Sequence, residues 1–243
     1  MDKVIVYLAI KYKGDWDAIY KAIMEKENVD VKEVERVVSE CPYNYITILD
    51  DRYPMNIKHI YKPPFVLFYK GNLELLHSKK RQALVSTRKK LSPYARRTAK
   101  VFAQGLSNEG IVQVLADGES VLPEIIDEIK SSGGSYIKVL SKHIEELDID
   151  DYDNFLVVTE YPEMPEKHKG IVSQCKLIGA IPNGMIVVET GKKDRCLLSI
   201  TRALENSLDI CAVPHAIDDN DYCNTLIKDG ARLVESVKDI IEY

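Results

Sequence analysis

Hydrophobic and polar positions divide this chain into three stretches of different rhythm. In residues 1–40 apolar side chains recur at helical spacing. Tyr12, Trp16, Ile19, Tyr20 and Ile23 make one stripe, and Val31, Val34, Val37 and Val38 a shorter one. Cys41-Pro42 closes this segment, because proline disfavours helix in the residue before it. Residues 43–72 read differently. The runs YITILD and FVLFYKGN are strand-like, and Tyr53-Pro54 and Pro63-Pro64 between them forbid continuous helix.

From residue 82 onward, short apolar runs alternate with amphipathic segments. The strand candidates are 82–87, 111–115, 136–140, 154–159, 185–189 and 209–213. Runs this apolar suit strands covered on both faces. Ser92-Pro93 signals a helix start, since serine caps free N–H groups and proline fits the first turn. Ala95, Ala99, Phe102 and Leu106 then face inward, with Arg96, Arg97 and Lys100 elsewhere. Leu122, Ile125, Ile126 and Ile129 form a further stripe, stopped by Gly133-Gly134. Strand–helix alternation of this kind predicts an α/β fold with a Rossmann-like, doubly wound, mostly parallel sheet. The expected division is a small N-terminal helical domain over 1–42, a strand-containing extension over 43–81 and a Rossmann-like domain over 82–243.

Composition adds limits. With 243 residues, 45% hydrophobic and 29% charged, the chain can bury a real core. No apolar run approaches the ~20 residues of a membrane span, and the N-terminus lacks a signal-peptide cleavage pattern. No membrane role and a cytoplasmic location are therefore expected. The five cysteines are widely spaced without a Cys-x-x-Cys pair, which argues against zinc and against a disulfide framework. The five histidines show no metal-ligand spacing, and no nucleophile elbow or Gly-Lys-Ser/Thr phosphate loop occurs. No cofactor, no metal and no catalytic residue are predicted.

Net charge is −5, which by itself discourages a nucleic-acid partner. Its distribution changes that picture. No acidic residue lies between Glu74 and Glu109, whereas Lys79, Lys80, Arg81, Arg88, Lys89, Lys90, Arg96, Arg97 and Lys100 do. A cationic corner on an acidic body has the footprint of an anion-binding face, and a solvated helix would look the same.

Ligands of such sheets bind beyond the carboxyl ends of the strands. After the first strand comes Ser86-Thr87-Arg88-Lys89-Lys90-Leu91-Ser92, where helix amides, two hydroxyls and three cations can hold a phosphate. The loop lacks the glycines of a tight phosphate cradle, so a merely basic surface loop is the competing reading. Asp117 and Glu119 after the second strand can coordinate a cation or, the favoured reading, solvate a turn and cap the next helix. Glu160 and Glu189 follow apolar strands without a neighbouring acid–base partner.

In order along the chain, six segments resemble motifs of the DprA/Smf family of bacterial DNA-processing proteins. Tyr53-Pro54, Pro63-Pro64-Phe65-Val66-Leu67 and Lys70-Gly71-Asn72 look like its "YP…PP-x-LY-x-KGN". Residues 83–94 look like "VGSRxxSxYG", and Glu160-Tyr161-Pro162 like "SEYP". Val187-Val188-Glu189 looks like "VVEA", Ala212-Val213-Pro214 like "AVPG", and 223–234 like "GCNxLIxxGAxLV". Departures cluster. The arginine of "SGxAxGID" is replaced by Asp117, and "RNRIIAGLS" reads Gln174-Cys175-Lys176-Leu177-Ile178-Gly179-Ala180-Ile181-Pro182, keeping one cation, Lys176. "SGSLIT" reads Asp194-Arg195-Cys196-Leu197-Leu198-Ser199, and the glycine of "GSR" is Ser86, with Arg88 retained. The resemblance implies a divergent or degenerate member, and the family's optional C-terminal winged helix is not expected.

What the resemblance implies is a binder rather than an enzyme. Its partners would be single-stranded DNA, the RecA recombinase that it helps to load, and a second copy in a homodimer. Cations tracking a strand's phosphates would come from Arg88, Lys89, Lys90 and Lys176, with Arg96, Arg97 and Lys100 extending the track and Thr87 and Ser92 adding hydroxyls. Two alternatives stay open: a protein-interaction or regulatory module that lost DNA affinity, and a nucleotide-acting phosphoribohydrolase-like enzyme. The glycine-rich "PGGxGT" that the latter requires is missing from the sequence.

Overall fold

The computed structural model describes residues 1–86, 91–118, 122–145, 153–216 and 222–241. In chain order its helices are α1 (Asp2–Lys11), α2 (Trp16–Met24), α3 (Val31–Ser39), α4 (Met55–Lys58), α5 (Pro93–Asn108), α6 (Leu122–Ser131), α7 (Lys167–Ile178), α8 (Cys196–Glu205), α9 (Cys223–Lys228) and α10 (Lys238–Ile241). Its strands are β1 (Asn44–Thr47), β2 (Val66–Gly71), β3 (Arg81–Ser86), β4 (Val112–Ala116), β5 (Tyr136–Val139), β6 (Phe155–Thr159), β7 (Gly184–Glu189), β8 (Asp209–Ala212) and β9 (Arg232–Leu233). All eight strands anticipated from apolar runs are present, with ends moved by a few residues.

Two compact units result, one formed by Met1–Leu73 with Leu140–Gln174, the other by Glu74–Val139 with Cys175–Tyr243. The boundaries read from the hydrophobic pattern, after 42 and after 81, group the chain by sequence, whereas each compact unit draws on two separate stretches.

In the first unit β2 pairs antiparallel with β1 on one side and with β6 on the other. Gly71 ends β2 at φ +104, and a Cβ there would lie 2.2 Å from the Phe155 carbonyl oxygen. Only glycine tolerates both the left-handed backbone and that approach. Helices α1 to α3 precede this sheet. The stripe from Tyr12 to Ile23 is not one helix, because Lys13 (φ 54) and Gly14 (φ 73) break the chain between α1 and α2. Gly14 is required there, as a Cβ would meet the Tyr161 ring at 2.7 Å. α1 buries its own face of Ile5, Val6, Leu8 and Ala9. α2 starts at Asp15, whose carboxylate accepts the Ala18 N–H at 3.0 Å.

The second unit holds a parallel sheet in the order β5-β4-β3-β7-β8-β9. This is the doubly wound Rossmann order, with its direction of winding reversing between β3 and β7. Strand interiors are apolar throughout: Ala83, Leu84 and Val85 of β3 and Met185 to Val188 of β7 are at most 1% exposed. Against them α5 buries Ala95, Ala99, Phe102, Ala103 and Leu106, the inward face that the spacing predicts. Fully burying side chains of the size of Phe102 or Leu106 contributes ~1.5–3 kcal/mol each. Gln113 on β4 is fully buried, and its amide donates to the Ala103 carbonyl and the Ser107 hydroxyl.

Candidate nucleic-acid interface

The crevice of a doubly wound sheet opens where the strand order reverses, beyond the carboxyl ends of the two central strands. Here those ends are Ser86 and Glu189, opposite one another across a register shift after Val85. Thr87, Arg88, Lys89 and Lys90, which the sequence places at this point, lie outside the described residues. The chain returns at Leu91, and Ser92 caps α5 by accepting the Ala95 N–H at 3.0 Å. Glu189 reaches the same place: its carboxylate accepts the Ser92 N–H at 2.9 Å. A negative charge from the fold itself therefore occupies part of the anion seat that a helix N-terminus offers.

Residues from β8 and α9 stiffen this rim. The Tyr94 hydroxyl donates to the Pro214 carbonyl at 3.1 Å, and its ring meets the His215 ring edge-on at 5.2 Å. His215 is held in turn, with its Nε2 2.8 Å from the Val188 carbonyl and its backbone clamped by both ends of the Asn224 amide. Tyr94 is 42% exposed, so its ring stands at the surface instead of in the core.

Among the described residues, the predicted cations differ in their surroundings. On α5, Arg96 pairs with Glu124 of α6, and Lys100 approaches Glu128 at 3.7 Å. Asp117, standing where the family has arginine, pairs with Lys138 at 2.9 Å. Arg97 is exposed and has no partner among the described residues. Lys176 is half-buried near the end of α7 that leads into the amino end of β7, so its backbone starts from the opposite end of that strand from Glu189. Lys79, Lys80 and Arg81 likewise fall at the amino end of β3. The length of β3, six residues at ~3.3 Å each, sets them apart from its Ser86 end. Arg81 is turned inward besides, donating to the Ile181 carbonyl at 2.7 Å, and burial pulls its pKa down. The basic run in the sequence is thus split between the two ends of one strand.

Sequence reading passed over three other cations. Lys192, Lys193 and Arg195 stand exposed on the loop between β7 and α8, and none has a partner among the described residues. They follow directly on a strand end at the crevice, and that position was the signal available. Glu160 lies in the first unit, buried, and accepts the Ser173 hydroxyl at 2.6 Å. It reads as a structural acceptor. Among the described residues, no group of His, Cys, Asp and Glu is arranged to hold a metal ion. Cys175, Cys196, Cys211 and Cys223 are buried free thiols, and burial raises the pKa of Cys211. No helix among the described residues is long and apolar enough to cross a membrane.

A capped helix and exposed cations at the switch point of a 3-2-1-4-5-6 parallel sheet define a Rossmann-type scaffold suited to phosphate-bearing partners. The family model described as DNA recombination-mediator protein A matches residues 44–243, and the chain belongs to that family. It is 35% identical to DNA processing protein DprA of Streptococcus pneumoniae over 208 residues, covering 80% of this chain and 72% of the relative. To DprA of Bacillus subtilis it is 30% identical over 213 residues, covering 82% and 70%. The solved structure of the S. pneumoniae protein superposes with a TM-score of 0.77 at 26% identity, covering all of this chain and 93% of the other. A Helicobacter pylori DprA structure, described by its single-stranded DNA binding mode, shares the fold at TM-score 0.70 and 20% identity over 83% of this chain and 96% of its own.

Proposed function

We propose that this chain is a DprA-like mediator that binds single-stranded DNA and assists recombinase loading during DNA uptake and recombination. The observation that carries the reading is a set of exposed cations without a partner among the described residues: Lys192, Lys193 and Arg195 on the loop after β7, and Arg97 early in α5. Arg88, Lys89 and Lys90 belong to the same proposal by sequence position. Family membership and the DNA-binding mode described for the H. pylori relative support it. The protein works as a binder, not an enzyme, in the cytoplasm. RecA and a second copy of the chain are its further proposed partners.

Phosphate neutralisation makes affinity fall with salt, with a slope of about 0.7 per phosphate contact on single strands. Arg97→Glu weakens binding of an oligothymidylate and flattens that slope by about one contact, as read by fluorescence anisotropy. An unchanged slope removes Arg97 from the interface.

A second reading is favoured by Glu189 at the helix amide and by the acids of α6 that answer Arg96 and Lys100. It is a regulatory module on the same scaffold that has lost DNA affinity. Failure to retain single strands on a filter at low salt selects it.

A further inference from the structure

The first unit carries an aromatic file at its surface. Trp16 stacks on Tyr20, with ring centroids 5.0 Å apart and planes within 11°, and on Phe65 at 5.2 Å and 25°. Its indole N–H is pinned to the Pro63 carbonyl at 2.8 Å, which fixes the ring. The Lys62 ammonium lies 5.1 Å from the Trp16 ring and 5.9 Å from the Tyr61 ring. Tyr20 is 46% exposed and Tyr61 77%. Tyr20 is not needed by the core, to which α2 gives Ile19 and Ala22.

Rigid aromatic faces interleaved with an ammonium group are what unpaired nucleobases stack upon, whereas paired bases offer no free face. We propose that the exposed rings of Tyr20 and Tyr61, with Lys62, form a second single-strand contact, one that reads bases by stacking and one phosphate by charge, with the already stacked Trp16 ring as the rigid backing of Tyr20. This rests on the single-strand reading above and adds a separate site to it. The local charge assigns the roles. Lys62 is engaged by Asp17 at 2.7 Å, and Lys169 by Asp15. The patch therefore contributes stacking first, and a phosphate must take the place of the exposed Asp17 carboxylate. Exposed pairs of this kind are weak enough to be exchanged.

Trp16 is the only tryptophan in the chain, so its fluorescence reports this site alone. The experiment titrates the full chain with an oligothymidylate and with an abasic strand of the same length, following Trp16 emission and strand anisotropy. The parent shows quenched Trp16 emission with the thymidylate only. Tyr20→Ala with Tyr61→Ala loses about tenfold or more in affinity for the thymidylate and nothing for the abasic strand. Asp17→Asn binds the thymidylate a few-fold more tightly, a gain that misfolding does not produce. Parent binding without quenching, and with the double variant equal to it, overturns this inference and leaves the crevice reading standing. No binding of either strand by the parent overturns both.

Discussion

At the scale of single residues, the decisive group is Glu189. Its carboxylate holds the Ser92 N–H and so fixes the start of α5, yet it sets a negative charge where a phosphate would come. Glu189→Gln keeps a hydrogen-bond acceptor and removes the charge. Oligonucleotide affinity should rise about two- to fivefold at low salt, with an unchanged melting temperature, because charges near a surface interact weakly and are screened. Reduced affinity in that variant would make Glu189 a direct contributor to binding. Asp15 offers a pH test in the first unit. The Lys169 ammonium, followed by the Ala18 N–H, holds its carboxyl below the usual carboxylate range. A depressed folded pKa gives stability that is present above the unfolded value near 4 and is lost as pH falls through the folded one. Melting curves between pH 2 and 7 should show less acid loss for Asp15→Asn than for the parent, with Trp16 emission as the local probe. Identical acid profiles would mean that Asp15 gives nothing to stability.

At the scale of elements, β1 to β8 were legible because each is a short apolar run bounded by turn residues, whereas β9, only Arg232–Leu233, carries no such pattern. α5 was legible because Ser92-Pro93 announces it and four apolar residues at helical spacing follow. The break between α1 and α2 was not legible. Trp16, Ile19 and Ile23 continue the spacing set by Tyr12, and only the left-handed turn at Lys13 and Gly14 shows that two helices meet there. Charge was legible as a count and misleading as a place. A strand carries Lys80 and Arg81 away from residues only a few positions later, and pairing with α6 depends on contacts remote in sequence. Gly71 marks a point where sequence and packing agree. Gly71→Ala forces a Cβ against the Phe155 carbonyl at a backbone angle that alanine avoids. It should cost about 2 kcal/mol or more in denaturant unfolding. A loss within about 0.5 kcal/mol would show that the β2–β6 pairing yields easily.

At the scale of the whole molecule, the family was readable from the order of its motifs, and the scaffold that those motifs build is the one observed. The chemistry was harder to read, because the substitutions at Ser86, Asp117 and Gln174 fall in the positions that distinguish a binding crevice from a bare fold. Asp117 is tied to Lys138, and Gln174 is buried, so neither restores the missing cations. Lys192, Lys193 and Arg195 stand exposed on another loop, and the proposed function assigns binding charge to them. A net charge of −5 then keeps general attraction to polyanions low, which makes binding depend on a few local contacts. The direct test is a titration of single-stranded and duplex DNA across several salt concentrations, with the parent and with Lys192→Glu/Lys193→Glu. The account predicts preference for the single strand, affinity that falls linearly in log–log form with salt, and a slope about 1.4 smaller in the double variant. Equal slopes for the two proteins, or no single-strand binding at the lowest salt, would contradict it.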